Sequence, residues 1–260
     1  MVANVRAALF RRHAPRALLA LALALMVAGG AVAEQAADKV LEEQILKVIR
    51  EHPKEIMEAV VGYQRVQAEQ RMKSAETRLQ EQVATLKPAQ LRGDSPVRGK
   101  VGSKLVLIEF SDFQCPYCAK AHQVVQKFMA AHGDEVALVY KHLPLGEMHP
   151  QATNAALAAW AAQQQGKFWE FHDQMFSAQD RLSDAFYVTI ANSLALDVAR
   201  FDKDRASDAA KAAVQRDLDL AKQLNIQATP QFLMNSHPIT GAAPLEEFEK
   251  ELATARGELK

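Results

Sequence analysis

The chain has 260 residues, 49% of them apolar and 24% charged, with 31 basic side chains set against 31 acidic ones. This is the composition of a soluble globular protein of one or two domains. The balanced charge excludes a basic surface built for nucleic acid and an acidic tail.

The N-terminus carries Arg6, Arg11, Arg12 and Arg16, then an apolar run from Ala17 to Ala28, Gly29-Gly30, and Ala31-Val32-Ala33 just before Glu34. A positive region, a short apolar stretch and a small-x-small site predict a secretory signal peptide, residues 1–33, cut after Ala33. An uncleaved membrane anchor is the competing reading, but the run falls short of the roughly 20 apolar residues that span a bilayer. Arg11-Arg12 precedes His-Ala-Pro and is a weak twin-arginine signal.

Residues 34–87 read as a helical arm. Leu41, Ile45, Val48 and Ile49, then Ile56, Val60, Tyr63 and Val66, recur at helical spacing, and Pro53 suits the first turn of a second helix. Gln67 to Glu76 is polar, and the pattern resumes at Leu79, Val83 and Leu86. A single apolar stripe needs a partner, either the main domain or a copy of itself. Self-association is favoured because Pro88, Gly93, Asp94, Ser95, Pro96, Gly99 and Gly102 mark residues 88–103 as a linker. No heptad is sustained, so a long coiled coil is not expected.

Residues 104–260 form the main domain. Lys104 to Phe110 is a strand, Cys115 to about Ala131 a helix, and Val136 to Leu143 a second strand closed by Pro144. That order predicts a right-handed βαβ unit with parallel strands. Residues 150–224 are helical by pattern, with breaks at Gly166, Ser183-Asp184 and Asp197. Thr229 to Asn235 is a third strand, Pro238-Ile-Thr a fourth, and Pro244 to Arg256 a last helix.

The chemistry centres on Cys115-Pro116-Tyr117-Cys118, the only cysteines in the chain. A disulfide closing so short a loop adds little stability, and the mature chain is long enough to fold on an apolar core without it. The pair is therefore expected to react. A cysteine at a helix start sits against unsatisfied N–H groups and the positive end of the helix dipole, which favour the thiolate. Cys115 is the exposed attacker, Cys118 the resolver one turn on, and Pro116 needs no N–H partner. Two alternatives stand beside this reading. One is a zinc or copper half-site with His122 as a third ligand; the other is a purely structural bridge. No metal and no cofactor is called for.

Thr229-Pro230 suits a turn into a sheet, and a cis bond there would lay its backbone beside the disulfide, free to pair with a substrate. Glu109 is a charge in an apolar strand. It is either an edge-strand carboxylate facing water or a partly buried acid of raised pKa that relays a proton.

Several ordered motifs resemble the DsbA family: Phe110-Ser-Asp-Phe-Gln-Cys-Pro-Tyr-Cys118, Lys141-His-Leu-Pro-Leu145, His149-Pro-Gln-Ala152, Phe168-Trp-Glu-Phe-His172 and Ala228-Thr-Pro-Gln-Phe232. The resemblance implies an α/β thioredoxin fold with a helical domain inserted at about 150–224 and an N-terminal helical arm ahead of it. It also implies that Pro230 is cis beside the cysteines and that Glu109 is the family's buried acid. Asn235-Ser-His237 departs from the Asn-Gly turn of many relatives. Asp38 to Val66, through Ile49-Arg-Glu-His-Pro-Lys-Glu-Ile56, resembles the arm of the suppressor-of-copper-sensitivity ScsC branch, whose members are described as oligomeric isomerases. Thr229 and Tyr117 resemble the corresponding residues of disulfide isomerases more than those of the strongest oxidants. The expected partners are cysteine-containing exported proteins and a DsbB-like or DsbD-like membrane protein that resets the pair in the periplasm.

Overall fold

The computed structural model describes residues 38–259. The predicted signal peptide lies outside them. The chain divides into two units, with the boundary between Arg71 and Met72. The first holds helix α1, residues 38–51, and the start of α2 (Pro53–Ala84). Pro53 opens α2 as expected, since the first turn asks no N–H of it. The apolar stripe of this unit stands in solvent: Leu41, Val48, Val60 and Tyr63 are 55%, 55%, 42% and 67% exposed.

The second unit is built on a five-stranded sheet of order β1-β3-β2-β4-β5. Its strands are β1 (Val97–Gly99), β2 (Leu105–Ser111), β3 (Val136–His142), β4 (Gln231–Met234) and β5 (His237–Thr240). β2 and β3 run parallel, joined over α4 (Pro116–His132); the other pairings are antiparallel. The predicted linker 88–103 instead holds a short helix, α3 (Pro88–Arg92), with Leu91 buried, and then β1. Its glycines bracket these elements rather than dissolve them. Gly99 has φ +87, and a Cβ there would lie 2.3 Å from the Val136 carbonyl oxygen, so only glycine lets β1 close on β3.

The inserted region is α5 (Ala152–Gln163), α6 (Phe168–Ser177), a 3-10 turn (Gln179–Arg181), α7 (Asp184–Ser193), α8 (Val198–Arg205) and α9 (Asp208–Gln223). Ser183 and Asp197 cap α7 and α8 by accepting from Phe186 N and Arg200 N, as their positions in the sequence suggest. α10 (Leu245–Glu258) closes the chain's described part.

Alternation along the strands sorts the core. Leu105, Leu107, Leu138 and Phe232 meet Phe128 of α4 and Phe248 and Leu252 of α10. On the opposite face Ile108, Phe110, Val139 and Leu233 meet Ala221 of α9 and Val83 near the end of α2. A third cluster, with Phe168, Phe171, Met175, Phe176 and Tyr187, belongs to the inserted helices and reaches Phe113, Tyr140 and both cysteines. The β4–β5 turn forms without Asn-Gly because Asn235 itself takes φ +52, and its Oδ1 accepts from Val106 N at 2.9 Å.

Candidate functional site

Cys115 is the N-cap of α4, in extended backbone (φ −72, ψ 123), with Pro116 at the first helical position. At such a position a side-chain acceptor meets the N–H groups two and three residues on. The Cys115 side chain makes no formed capping hydrogen bond, but the N–H groups of Tyr117 and Cys118 and the Cys118 thiol lie near enough to favour its anion. The Cys118 thiol contributes most, burial opposes, and the Cys115 pKa falls to about 5. Cys118 moves the other way, far up, because it is buried and stands beside the Cys115 sulfur. These opposite shifts favour a thiolate on Cys115 and a protonated thiol on Cys118 near neutral pH. The attacker is less open than expected: Cys115 is 4% exposed and Cys118 0%. The neighbouring Tyr117 is 59% exposed, with Lys120 over its ring at 5.4 Å.

Thr229-Pro230 is a cis peptide, with Pro230 buried. The Thr229 carbonyl is 3.5 Å from Cys115 Sγ, a contact that suits the protonated thiol, whereas the Thr229 side chain favours the thiolate. Gly241 N donates to Pro230 O at 3.0 Å, which ties the loop to the end of β5.

Glu109 is not at an edge. β2 lies between β3 and β4, and Glu109 is 1% exposed, opposite Tyr140 in β3 and Phe232 in β4. Burial raises its pKa to about 7, against lowering by Ser111 and Arg98; the carboxylate of Asp173 adds to the rise. Ser111 is two residues on, so its side chain shares the face of Glu109. Glu109 Oε1, Ser111 Oγ and Tyr140 OH are buried without a well-formed hydrogen bond. Ser111 nevertheless lowers the pKa of Glu109, Cys118 and Tyr140 alike, so its hydroxyl is the group they share.

Several positioning residues carry no local signal of their role. The buried Asp112 carboxylate accepts from Gln114 N (2.8 Å), Leu145 N (2.9 Å) and His149 Nδ1 (2.7 Å), fixing the loop that delivers Cys115. Gln179, from the inserted helices, donates to the carbonyls of Phe113 (2.7 Å) and Cys115 (2.9 Å). Asp112 and His149 sit inside the quoted motifs, whereas Gln179 lies in an ordinary polar stretch. His122 packs against the rings of Phe176 and His172, with Nε2 3.8 Å from Asp173.

The sequence matches the family described as Thioredoxin over residues 91–253, more than half the chain. Among curated relatives, the Na(+)/H(+) antiporter NhaA 3 of Salinispora tropica is 35% identical over 159 residues, covering 61% of this chain and 24% of its own. The chain thus spans about a quarter of the length of the curated relatives it matches. Among the described residues no helix is long and apolar enough to cross a membrane. A thioredoxin-like oxidoreductase from Silicibacter pomeroyi superimposes with a TM-score of 0.61 at 27% identity, covering 66% of this chain and 99% of that one. Proteus mirabilis ScsC in a transitional conformation gives a TM-score of 0.59 at 22% identity, over 86% and 98% of the two chains, and shows likeness of fold. With the family model matched over more than half its length, and a Cys-Pro-Tyr-Cys pair at a helix start on this fold, the chain belongs to the thioredoxin family.

Proposed function

We propose that this protein, once exported to the periplasm, shuffles disulfides in cysteine-containing protein substrates, as an isomerase or as a mixed isomerase and oxidase. The observation that carries the proposal is a Cys115 thiol held near pKa 5 against the cis Thr229-Pro230 backbone, with a buried Cys118 one turn behind.

In isomerisation the Cys115 thiolate attacks a substrate disulfide, forms a mixed disulfide and releases a substrate thiolate. That thiolate, or another on the same substrate, attacks elsewhere and finally returns Cys115. Thr229 and Pro230 present backbone to the bound segment, while Pro116 and Tyr117 line its approach. If the substrate stalls, Cys118 loses its proton toward the Glu109 carboxylate by way of the Ser111 hydroxyl that both sense, and attacks Cys115 Sγ, releasing the substrate thiolate. The reverse order oxidises a substrate dithiol: Cys118 leaves and takes the proton back. The exposed apolar stripe of residues 38–71 favours isomerase work, because a second copy is the natural cover for it and would set two reactive thiols around one substrate. A DsbB-like or DsbD-like membrane protein would reset the pair.

Simple dithiol oxidation is the second reading, favoured by the acidity of Cys115. Thioredoxin and DsbA pair thiol pKa values of about 7 and 3.5 with potentials of about −270 and −120 mV. A value near 5 falls between them, so a potential between those two is expected. The deciding assay gives the reduced full-length protein a scrambled multi-disulfide substrate, with copper chelated. Reactivation that disappears in Cys115→Ser supports isomerase work. Rapid thiol oxidation by the disulfide form without reactivation supports the oxidase. Neither activity, with tight Cu(I) binding by the thiols, would leave copper handling as the function.

A further inference from the structure

We propose that His122, His172 and Asp173 form a binding site for a single divalent metal ion of the zinc class, separate from the redox cysteines. α4 brings His122 and α6 brings His172 and Asp173, and the two imidazole rings stand 5.1 Å apart, nearly perpendicular. One donor atom from each of the three residues lies within 4.8 Å of the other two. His122 and His172 are 6% and 2% exposed, and the Nε2 of each is buried without a hydrogen-bond partner. Leaving one such atom unmet costs about 1–3 kcal/mol. Two of them side by side are hard to account for by packing alone, because an aromatic or aliphatic residue would fill the same space among Phe113, Tyr140, Trp169 and Phe176.

The carboxylate is oriented for the task. Arg98 Nη2 donates to Asp173 Oδ2 at 2.8 Å, which leaves Oδ1 facing the rings, 2.8 Å from His172 Nδ1 and 3.8 Å from His122 Nε2. Donors about 2.1 Å from a tetrahedral ion stand roughly 3.4 Å apart; His122 Nε2 and Asp173 Oδ1 are near that spacing, while His172 must either release Asp173 from its Nδ1 or turn its unpartnered Nε2 to the ion, within the 4.8 Å that bounds the three donors. A ligating carboxylate braced from behind by a second partner is the usual support of such centres. Asp173 is about one-third exposed, which gives the ion a way in and leaves its fourth position for water. Two imidazoles and one carboxylate select a borderline ion such as Zn2+ over Mg2+ or Ca2+, which take all-oxygen shells.

The test uses the full-length protein with Cys115 and Cys118 oxidised to the disulfide, so that neither thiol can bind the ion. Calorimetric titration with Zn2+ should show one ion per chain. Substituting Co2+ should give tetrahedral d–d absorption without sulfur charge-transfer bands. His122→Asn and His172→Asn should each weaken binding at least 100-fold. Asp173→Asn, at a partly exposed position that keeps the fold, should weaken it at least tenfold. No binding by the oxidised wild type, an octahedral or sulfur-ligated Co2+ spectrum, or an Asp173→Asn protein that binds as wild type would each overturn the proposal.

Discussion

At the residue scale, two groups on one face of the site have been pushed in opposite directions. Cys115 falls to about 5 chiefly because the Cys118 thiol donates to it; Glu109 rises to about 7 chiefly because it is buried. A hydrogen bond to a charged group is worth about 1.5–3 kcal/mol, and 1.36 kcal/mol is one pKa unit. Cys118→Ala should therefore raise the Cys115 midpoint by roughly one unit or more, read from thiolate absorption near 240 nm, while Cys118→Ser, which keeps a donor, should raise it less. Equal midpoints in both variants would mean that the helix N–H groups do the work alone. For Glu109 the linkage runs the other way. Its folded pKa is above the unfolded value, so its contribution is fully present below about pH 4.3 and is lost as the pH rises through 7. A shift from 4.5 to about 7 corresponds to about 3 kcal/mol. The titration also involves the groups facing it: Ser111 on its own strand, Arg98 from β1, Tyr140 from β3 and Asp173 from α6. Glu109→Gln should exceed the wild type in stability at pH 8.5 by up to that amount, with the gap closing toward pH 4.5 in urea titrations. A gap unchanged across that range would show that Glu109 is not the buried acid described.

At the element scale, the inserted helices are clamped to the sheet by one buried ion pair. Lys141, on β3, gives Nζ to Asp217 of α9 at 3.0 Å and to the Arg92 carbonyl of α3 at 3.1 Å, and Asp217 Oδ2 accepts from His142 N at 3.0 Å. Asp217→Ala strands a buried ammonium and should cost about 3–5 kcal/mol in denaturant unfolding, far more than an exposed pair would. A loss below 1 kcal/mol would mean that Lys141 finds water. This scale also shows where the sequence was legible. β2 and β3 announce themselves as short apolar runs and α4 by Pro116 at its start, and the caps at Ser183 and Asp197 by residue type. β1 does not, because three residues framed by glycine and proline become a strand only through pairing with β3. The redox pair was legible for the same local reason that β2 was, since its signal lies within four residues. Gln179 was not, because its amide meets the Cys115 carbonyl across 64 residues of sequence.

At the scale of the whole molecule, the question is where the arm ends. Composition places the boundary at residue 87, before a run of glycine and proline. Packing places it earlier: Val83 is 3% exposed against the sheet, Leu79 and Leu86 pack on the same cluster, and Leu91 is buried. These residues are part of the core of the second unit, whereas Val40, Leu41, Ile45, Val48, Val60 and Tyr63 meet solvent. So many large apolar side chains in water on one segment point to a surface that a partner covers. Two truncations separate the contributions. Removing residues 34–71 should leave a monomer by sedimentation, with the Cys115 midpoint and unfolding midpoint of the full chain, and with oxidation of simple dithiols intact but shuffling of scrambled substrates much reduced. Removing residues 34–90 should in addition uncover Ile108 and Val139 and lose several kcal/mol, since truncating or removing one large core side chain alone costs about 2–5 kcal/mol. A full-length chain that sediments as a monomer would refute the assembly, and a 34–71 deletion that shuffles as well as the full chain would detach isomerase activity from it.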